Sequence, residues 1–239
     1  MWGRGVVSRI AESSRFEHPL LAMPRRDVAV TLLIAAATAA IFVLMALHGP
    51  RAQIQRIDNW FLRRMIDVRS GALTAVARVL NALGLVYVTL PVRLLIAGFL
   101  AFRRRWWHCA AFVSAIVLSE ISIGTLKSLY DRPRPPASLV ATSGASFPSG
   151  HAVAATVTVV AAVIALFPEG AGRYWWGAAA VAFSVLMGLS RAYLAAHWLS
   201  DAVAGVLLGT TFALGTAVVV HIVRERGQPP PDRANPLLQ

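Results

Sequence analysis

Three cations, two histidines, a serine and a carboxylate stand at the edges of apolar stretches in the second half of this chain. Lys127 precedes the loop Asp131-Arg132-Pro133-Arg134-Pro135, and Pro148-Ser149-Gly150-His151 opens an apolar run. Ser190-Arg191 closes a second run, and His197 opens a third, with Asp201 one helical turn further on. These residue types suit work on a phosphate ester. Lys127, Arg134 and Arg191 offer positive charge and N–H donors to a phosphate dianion. A helix beginning near Ser149 presents free backbone N–H groups and the positive end of its dipole to an anion. Pro148 fits the first turn because it has no N–H to leave unpaired. Gly150 lets an anion approach the backbone, and Ser149 adds a hydroxyl donor. His197 and Asp201, at i and i+4, share a face of a helix. A carboxylate so placed holds one ring nitrogen protonated and turns the other toward substrate, as for an activated nucleophile.

The elements that must position these residues are legible from composition. The chain has 239 residues, 57% hydrophobic and 14% charged, with a mean hydropathy of +0.62. A soluble domain carries about 25% charged residues. Several apolar stretches approach or reach the ~20 residues of a transmembrane helix. The expected fold is an all-α polytopic membrane protein, six transmembrane helices in a bundle. Its spans fall near 28–47, 83–102, 106–127, 149–167, 175–191 and 197–222, with a helix from residue 72 able to precede the second. Residues 49–71 carry Ile54, Ile57, Trp60, Phe61 and Met65 at helical spacing and predict an interfacial helix after the first span. The organisation is then a basic N-terminal segment 1–26, one membrane domain 27–223 and a disordered tail 224–239. The leader is long and basic, and the apolar run exceeds the ~7–15 residues of a signal-peptide core, which favours an uncleaved first span.

Consecutive spans alternate in direction, so the end of the third, the start of the fourth, the end of the fifth and the start of the sixth share one membrane face. That parity brings Lys127, Arg134, Ser149, Gly150, His151, Arg191, His197 and Asp201 together. Arg191 and His197 would point about 120° apart on an unbroken helix. A turn between the fifth and sixth spans removes that difficulty.

The net charge is +12. On a soluble chain this would suggest nucleic acid, but here the basic residues flank spans, so anionic lipid headgroups are the expected partner and nucleic acid is not. With six spans, the N-terminal arginines, the cluster Arg103, Arg104, Arg105 and the tail lie on one side. The positive-inside rule makes that side, and both termini, cytoplasmic. The Arg-rich, Ala-rich composition looks bacterial, so the expected site is the inner membrane with the polar cluster on its periplasmic or extracellular face. The 49–71 segment dissents, with five arginines on the predicted outside, offset in part by Asp58 and Asp67. The single cysteine, Cys109, reads as a packing residue. No Cys/His spacing suits a metal. His18, His48, His108 and His221 read as interfacial or tail residues. Arg132, beside the loop cations, reads as readily as a contact to lipid headgroup or solvent.

The polar set resembles the three motifs of the type 2 phosphatidic acid phosphatase superfamily. Lys-x6-Arg-Pro runs from Lys127 to Arg134-Pro135, Pro-Ser-Gly-His is Pro148 to His151, and Ser-Arg-x5-His-x3-Asp runs from Ser190-Arg191 through His197 to Asp201. The resemblance implies a membrane lipid phosphatase acting on a lipid phosphate or pyrophosphate, such as undecaprenyl pyrophosphate, phosphatidylglycerophosphate or phosphatidic acid. It implies that His197 attacks phosphorus and forms a phosphohistidine, that Asp201 orients it, and that His151 serves as general acid and then helps activate water. Lys127, Arg134, Ser149, Gly150 and Arg191 would hold the phosphate oxygens, with no cofactor and no metal. Vanadium haloperoxidases share the residue set, but the spans and the lack of a large soluble domain argue against them. A non-enzymatic lipid-phosphate binder is argued against by the presence of His151, His197 and Asp201.

Arg93 and Glu120 stand inside apolar spans, where a charge costs about 2.5–3.5 kcal/mol on insertion scales. The second and third spans are antiparallel neighbours, so the two are expected to pair. The alternative for Glu120 is Lys127, two turns along its own helix.

Overall fold

The structure, a computed structural model, describes residues 25–168 and 170–226. Among the described residues there are eight helices and no strand. They are α1 (Arg25–Ala46), α2 (His48–Asp67), α3 (Gly71–Leu83), α4 (Val86–Phe102), α5 (Trp106–Tyr130), α6 (Gly150–Leu166), α7 (Ala171–Tyr193) and α8 (Leu199–Arg226). The all-α expectation holds. Three helices, α1, α5 and α8, are long and apolar enough to cross a membrane, and α3 with α4, bent by 49°, forms a fourth candidate. The apolar α6 has only 17 residues. The amphipathic helix expected after the first span is α2.

Several boundaries move. Arg25 belongs to α1, and α8 continues to Arg226, past the expected start of the tail at 224. The rest of the N-terminal segment, with His18, and residues 227–239 lie outside the described residues. His197 does not open the last helix, which begins at Leu199. The helix is delayed because Ala195 takes a left-handed φ of 52°. The Arg191 carbonyl then accepts from both Ala196 N at 3.0 Å and His197 N at 3.3 Å.

Small residues set the core of the bundle. A Cβ on Gly205 would lie 2.8 Å from the Ser149 carbonyl, and one on Gly209 2.8 Å from the Val153 carbonyl. The backbones of α6 and α8 therefore touch, the packing that a Gly-x3-Gly spacing allows where hydrocarbon gives helices no hydrophobic drive to associate. Below them Leu100, Phe112, Ala115, Val157 and Ala213 form a buried apolar cluster. Leu32, Leu33, Leu94, Leu95 and Trp175 are exposed on the outer surface, as a lipid-facing surface requires. The close α6–α8 contact also ties the two helix starts together, since Ser149 N donates to the Asp201 carbonyl at 3.0 Å.

Candidate active site

His197 is 3% exposed and sits in the short turn between α7 and α8. Its Nδ1 lies 2.7 Å from the Ser146 carbonyl oxygen. A carbonyl only accepts, so Nδ1 carries the proton and Nε2 holds the free lone pair. Asp201 Oδ2 lies 3.5 Å from the same Nδ1, an ion-pair separation. The expected i, i+4 relation survives, but the Ser146 carbonyl provides the closer contact. Burial pushes the His197 pKa down to about 4, with Arg191 and Arg134 acting in the same direction and Asp201 against it.

Asp201 is fully buried. Its Oδ1 accepts from Arg132 Nη1 at 2.6 Å. Its Oδ2 accepts from Ser146 Oγ and from Trp198 N at 2.9 Å. Arg132 is therefore not a lipid or solvent contact. It is 2% exposed and also donates from Nη1 to Ser200 Oγ at 2.7 Å. From Nη2 it donates to Asp58 Oδ2 and Gln55 Oε1, both at 2.6 Å. Asp58, which the sequence offered only as an acid offsetting the arginines of residues 49–71, is 1% exposed and accepts from Ser200 N and Ser200 Oγ. Two carboxylates thus share one buried guanidinium, and α2 is locked to the start of α8. The sequence held one signal for this: Asp58 falls among Ile54, Phe61 and Met65 on the apolar face of an amphipathic helix.

Arg134 stands on the Nε2 side of His197. Arg134 Nη1 is 3.3 Å from His197 Nε2 and donates to the Ala196 carbonyl at 2.7 Å. Its other nitrogens are anchored on the carbonyls of Gly144 and Ser143. Burial lowers the Arg134 pKa. Lys127 Nζ donates to the Ala145 carbonyl at 2.5 Å. Arg191 Nη1 donates to Asn81 Oδ1, a partner on α3 that sequence reasoning missed. Three buried polar atoms here have no partner among the described residues: Ser149 Oγ, His151 Nε2 and Arg191 Nε. Burying such groups unpaired is costly, and each is of a kind that engages an oxyanion. At Gly150 a Cβ would meet only ordinary contacts, the nearest Ile123 Cγ2 at 3.7 Å, so the protein itself does not demand glycine there. Gly84, at the α3–α4 bend, is different: its Cβ would strike His151 Cδ2 at 2.7 Å. The bend therefore shapes the seat of the His151 ring.

Arg93 and Glu120 do pair, Nη1 to Oε1 at 2.7 Å, while Lys127 turns to Ala145 instead. His108 is buried, and His221 Nε2 lies 3.3 Å from Glu225 Oε1. Cys109 packs against the apolar core, with Sγ 3.7 Å from the Ala97 carbonyl.

A helical membrane scaffold that gathers cations, unpaired polar atoms and an imidazole with an unprotonated nitrogen defines a membrane phosphohydrolase. The profile of the PAP2 superfamily matches residues 106–226, and the chain belongs to that superfamily, in its membrane lipid phosphatase branch. Over 174 residues it is 29% identical to phosphatidylglycerophosphatase B of Bacillus subtilis, covering 70% of this chain and 85% of the relative. Over 124 residues it is 33% identical to lipid A 1-phosphatase of Rhizobium etli, covering 47% of this chain and 50% of the relative. The crystal structure of the PAP2-type phosphatidylglycerolphosphate phosphatase from Bacillus subtilis superposes with a TM-score of 0.67 at 24% identity, covering 83% of this chain and 97% of that one. Aquifex aeolicus LpxE superposes with a TM-score of 0.54 at 22% identity, covering 67% and 92%. Both structures share the fold. Asp58, Gln55 and Asn81 precede the region that the superfamily profile matches.

Proposed function

We propose that the chain removes phosphate from a membrane lipid phosphate or pyrophosphate through a phosphohistidine on His197. The observation that carries this reading is the tautomer of His197, whose Nδ1 faces the Ser146 carbonyl and leaves Nε2 unprotonated, facing Arg134 Nη1 at 3.3 Å. Nε2 attacks phosphorus in line with the ester bond, the N–P bond forms and the P–O bond breaks. His151 gives its proton to the leaving oxygen. It then takes a proton from water, whose oxygen attacks phosphorus and breaks the N–P bond, releasing inorganic phosphate. Lys127, Arg134, Arg191, Ser149 Oγ and the backbone N–H groups opening α6 at Gly150 hold the phosphate oxygens, so positioning and charge supply most of the rate. Asp201 stabilises the ring while its charge rises.

The relatives named for phosphatidylglycerophosphate and lipid A 1-phosphate favour acylated lipid phosphates, phosphatidic acid among them; undecaprenyl pyrophosphate is a polyprenyl target of the wider class of membrane lipid phosphates and pyrophosphates. We further place the chain in a bacterial inner membrane as one six-span domain. In that arrangement α3–α4 is one bent span, α6 and α7 complete the count, the termini are cytoplasmic and the site is periplasmic. Anionic headgroups would contact the basic flanks.

Phosphate release from a panel of lipid phosphates by purified wild type and His197→Ala tests the reading. Release by wild type and its loss in the variant are expected. No release by wild type from any lipid defeats the reading, and equal release by both proteins defeats the nucleophile.

A further inference from the structure

A groove of about 640 Å³ opens between α4 and α5 and reaches the first turn of α6. Gly150 and His151 line one end, while Leu94, Ala97, Val113 and Val117 line the other. Between them, also on the wall, lie Arg93 and Glu120. Arg93 is anchored on α6 by Nε to Thr158 Oγ1 at 2.8 Å and by Nη2 to the Ala154 carbonyl at 3.1 Å. Ala154 and Thr158 follow His151 by one and two turns, which sets the pair roughly 5–10 Å below His151 along the helix.

The pair is lopsided. The Arg93 side chain is 9% exposed, but that of Glu120 is 48% exposed. Arg93 uses three of its five N–H groups, on Thr158, Ala154 and Glu120, and keeps two. Glu120 binds through Oε1, and its Oε2 carries no hydrogen bond among the described residues. An ion pair present only to neutralise a buried charge gains nothing from leaving one carboxylate half open to an apolar groove, where an unpaired oxygen is costly. A ligand that brings its own donors and acceptors to that depth removes the cost.

We propose that Arg93 and Glu120 form a polar subsite for the backbone of an acylated lipid phosphate. Its hydroxyl or amide donors meet Glu120 Oε2, its ester or amide carbonyls meet the spare Arg93 N–H groups, and its chains follow the apolar end of the groove. The inference rests on the phosphatase reading above and adds a substrate class to it: acylated lipids over polyprenyl phosphates, whose hydrocarbon offers no polar group 5–10 Å from the phosphate by the helix rise of roughly 1.5 Å per residue.

The test measures kcat/KM of the full chain in mixed micelles for 1-oleoyl lysophosphatidic acid, which offers a free hydroxyl and an ester, and for undecaprenyl phosphate. p-Nitrophenyl phosphate reports the chemistry without the groove. Wild type is expected to favour the acylated lipid about tenfold or more, as one hydrogen bond to a charged group supports. In the double variant Arg93→Met/Glu120→Leu that preference falls to near unity while p-nitrophenyl phosphate hydrolysis is unchanged, because apolar replacement of both partners is tolerated where removal of one is not. Glu120→Gln keeps the side-chain shape and gives a second reading, with a smaller loss of preference. A wild type that favours undecaprenyl phosphate, or variants that lower both lipids equally, overturns the subsite and leaves the phosphatase reading standing. Release from no lipid by wild type overturns both.

Discussion

Replacing Arg132 with methionine would strip two buried carboxylates of the guanidinium they share. Asp58 and Asp201 have side chains 1% and 0% exposed, and each receives a 2.6 Å bond from Arg132. Both keep neutral donors: Ser200 for Asp58, and Ser146 with the Trp198 N–H for Asp201. Removing one partner of a buried ion pair costs about 3–5 kcal/mol because the other charge stays buried without compensation. Arg132 serves two anions, so the upper part of that range applies. For a chain of this size about 1 kcal/mol moves the unfolding midpoint by roughly 2–4 °C, giving an expected fall of roughly 10–20 °C.

The double variant Arg132→Met/Asp58→Leu removes one charge of each sign, and its destabilisation should fall short of the sum of the two single losses by about 1–3 kcal/mol. Thermal unfolding in detergent reads the stability, and phosphate release reads the site. Since Asp201 loses its Oδ1 anchor but keeps those on Oδ2, kcat should drop about tenfold, or ~1.4 kcal/mol in the barrier, with KM nearly unchanged. A midpoint in Arg132→Met within 2–3 °C of wild type, roughly the effect of a single exposed contact, or strictly additive losses in the double variant, would refute the shared buried cation.

Three further outcomes follow from the site geometry. Burial holds His197 at about 4 against an ordinary 6.5, so the unfolded chain binds the proton first as pH falls. Stability that His197 permits is intact above 6.5 and is lost as pH drops toward 4, and the acid limb of kcat/KM governed by this ring should lie below pH 5; a limb near 6.5 abolished by no other substitution would contradict its burial. Gly84→Ala should lower kcat by up to about 100-fold, since a displaced His151 ring loses its alignment. Because Gly84 has an ordinary φ of −85°, the substitution adds no backbone strain and acts through the displaced ring, so an unimpaired kcat would count against the contact. Gly209→Ala presses a Cβ to 2.8 Å from the Val153 carbonyl and should destabilise by about 1–3 kcal/mol. Gly215→Ala, which meets nothing within 4 Å, should not, and equal midpoints for the two would deny the close α6–α8 packing.

What the sequence reveals here depends on how local the cause is. Lys127, Arg134, Ser149, Gly150, His151, Arg191 and His197 are legible because they stand at or beside the ends of consecutive apolar runs, whose alternating direction predicts one shared face. Arg93 and Glu120 are legible because a charge among apolar residues must find a partner, and the antiparallel neighbouring span offers one to each. Arg132 is not, because its side-chain hydrogen-bond partners come from α2 and α8, and nothing in a Pro-Arg loop announces which arginine turns inward. The sequence also draws His197 into a helix. The left-handed Ala195 and the doubly bonded Arg191 carbonyl delay that helix to Leu199, yet Asp201 in its first turn still faces the ring. A count of apolar runs finds both α6 and the helix before α4, but not the 49° bend between α3 and α4 nor the close packing of α6 through Gly205 and Gly209, which depend on contacts made far along the chain.

The buried charges explain why a dianion belongs here. Lys127, Arg132, Arg134 and Arg191 stand against Asp58 and Asp201, so these six groups carry two net positive charges before the histidines are counted, the complement of a phosphate monoester dianion. The charges are also sorted by position. The carboxylates lie on the Nδ1 side of His197, behind Ser146, and Arg134 lies on the Nε2 side. In the proposed attack the ring gains positive charge where Asp201 meets it, and negative charge develops on phosphate oxygens where the cations wait. Dipoles and charges fixed in this order before the reaction need no reorganisation during it, which is how preorganised electrostatics lower a barrier. The Arg132 hub keeps Asp201 ionised on the correct side of the ring, and it does so through residues of α2 that lie outside the matched superfamily region.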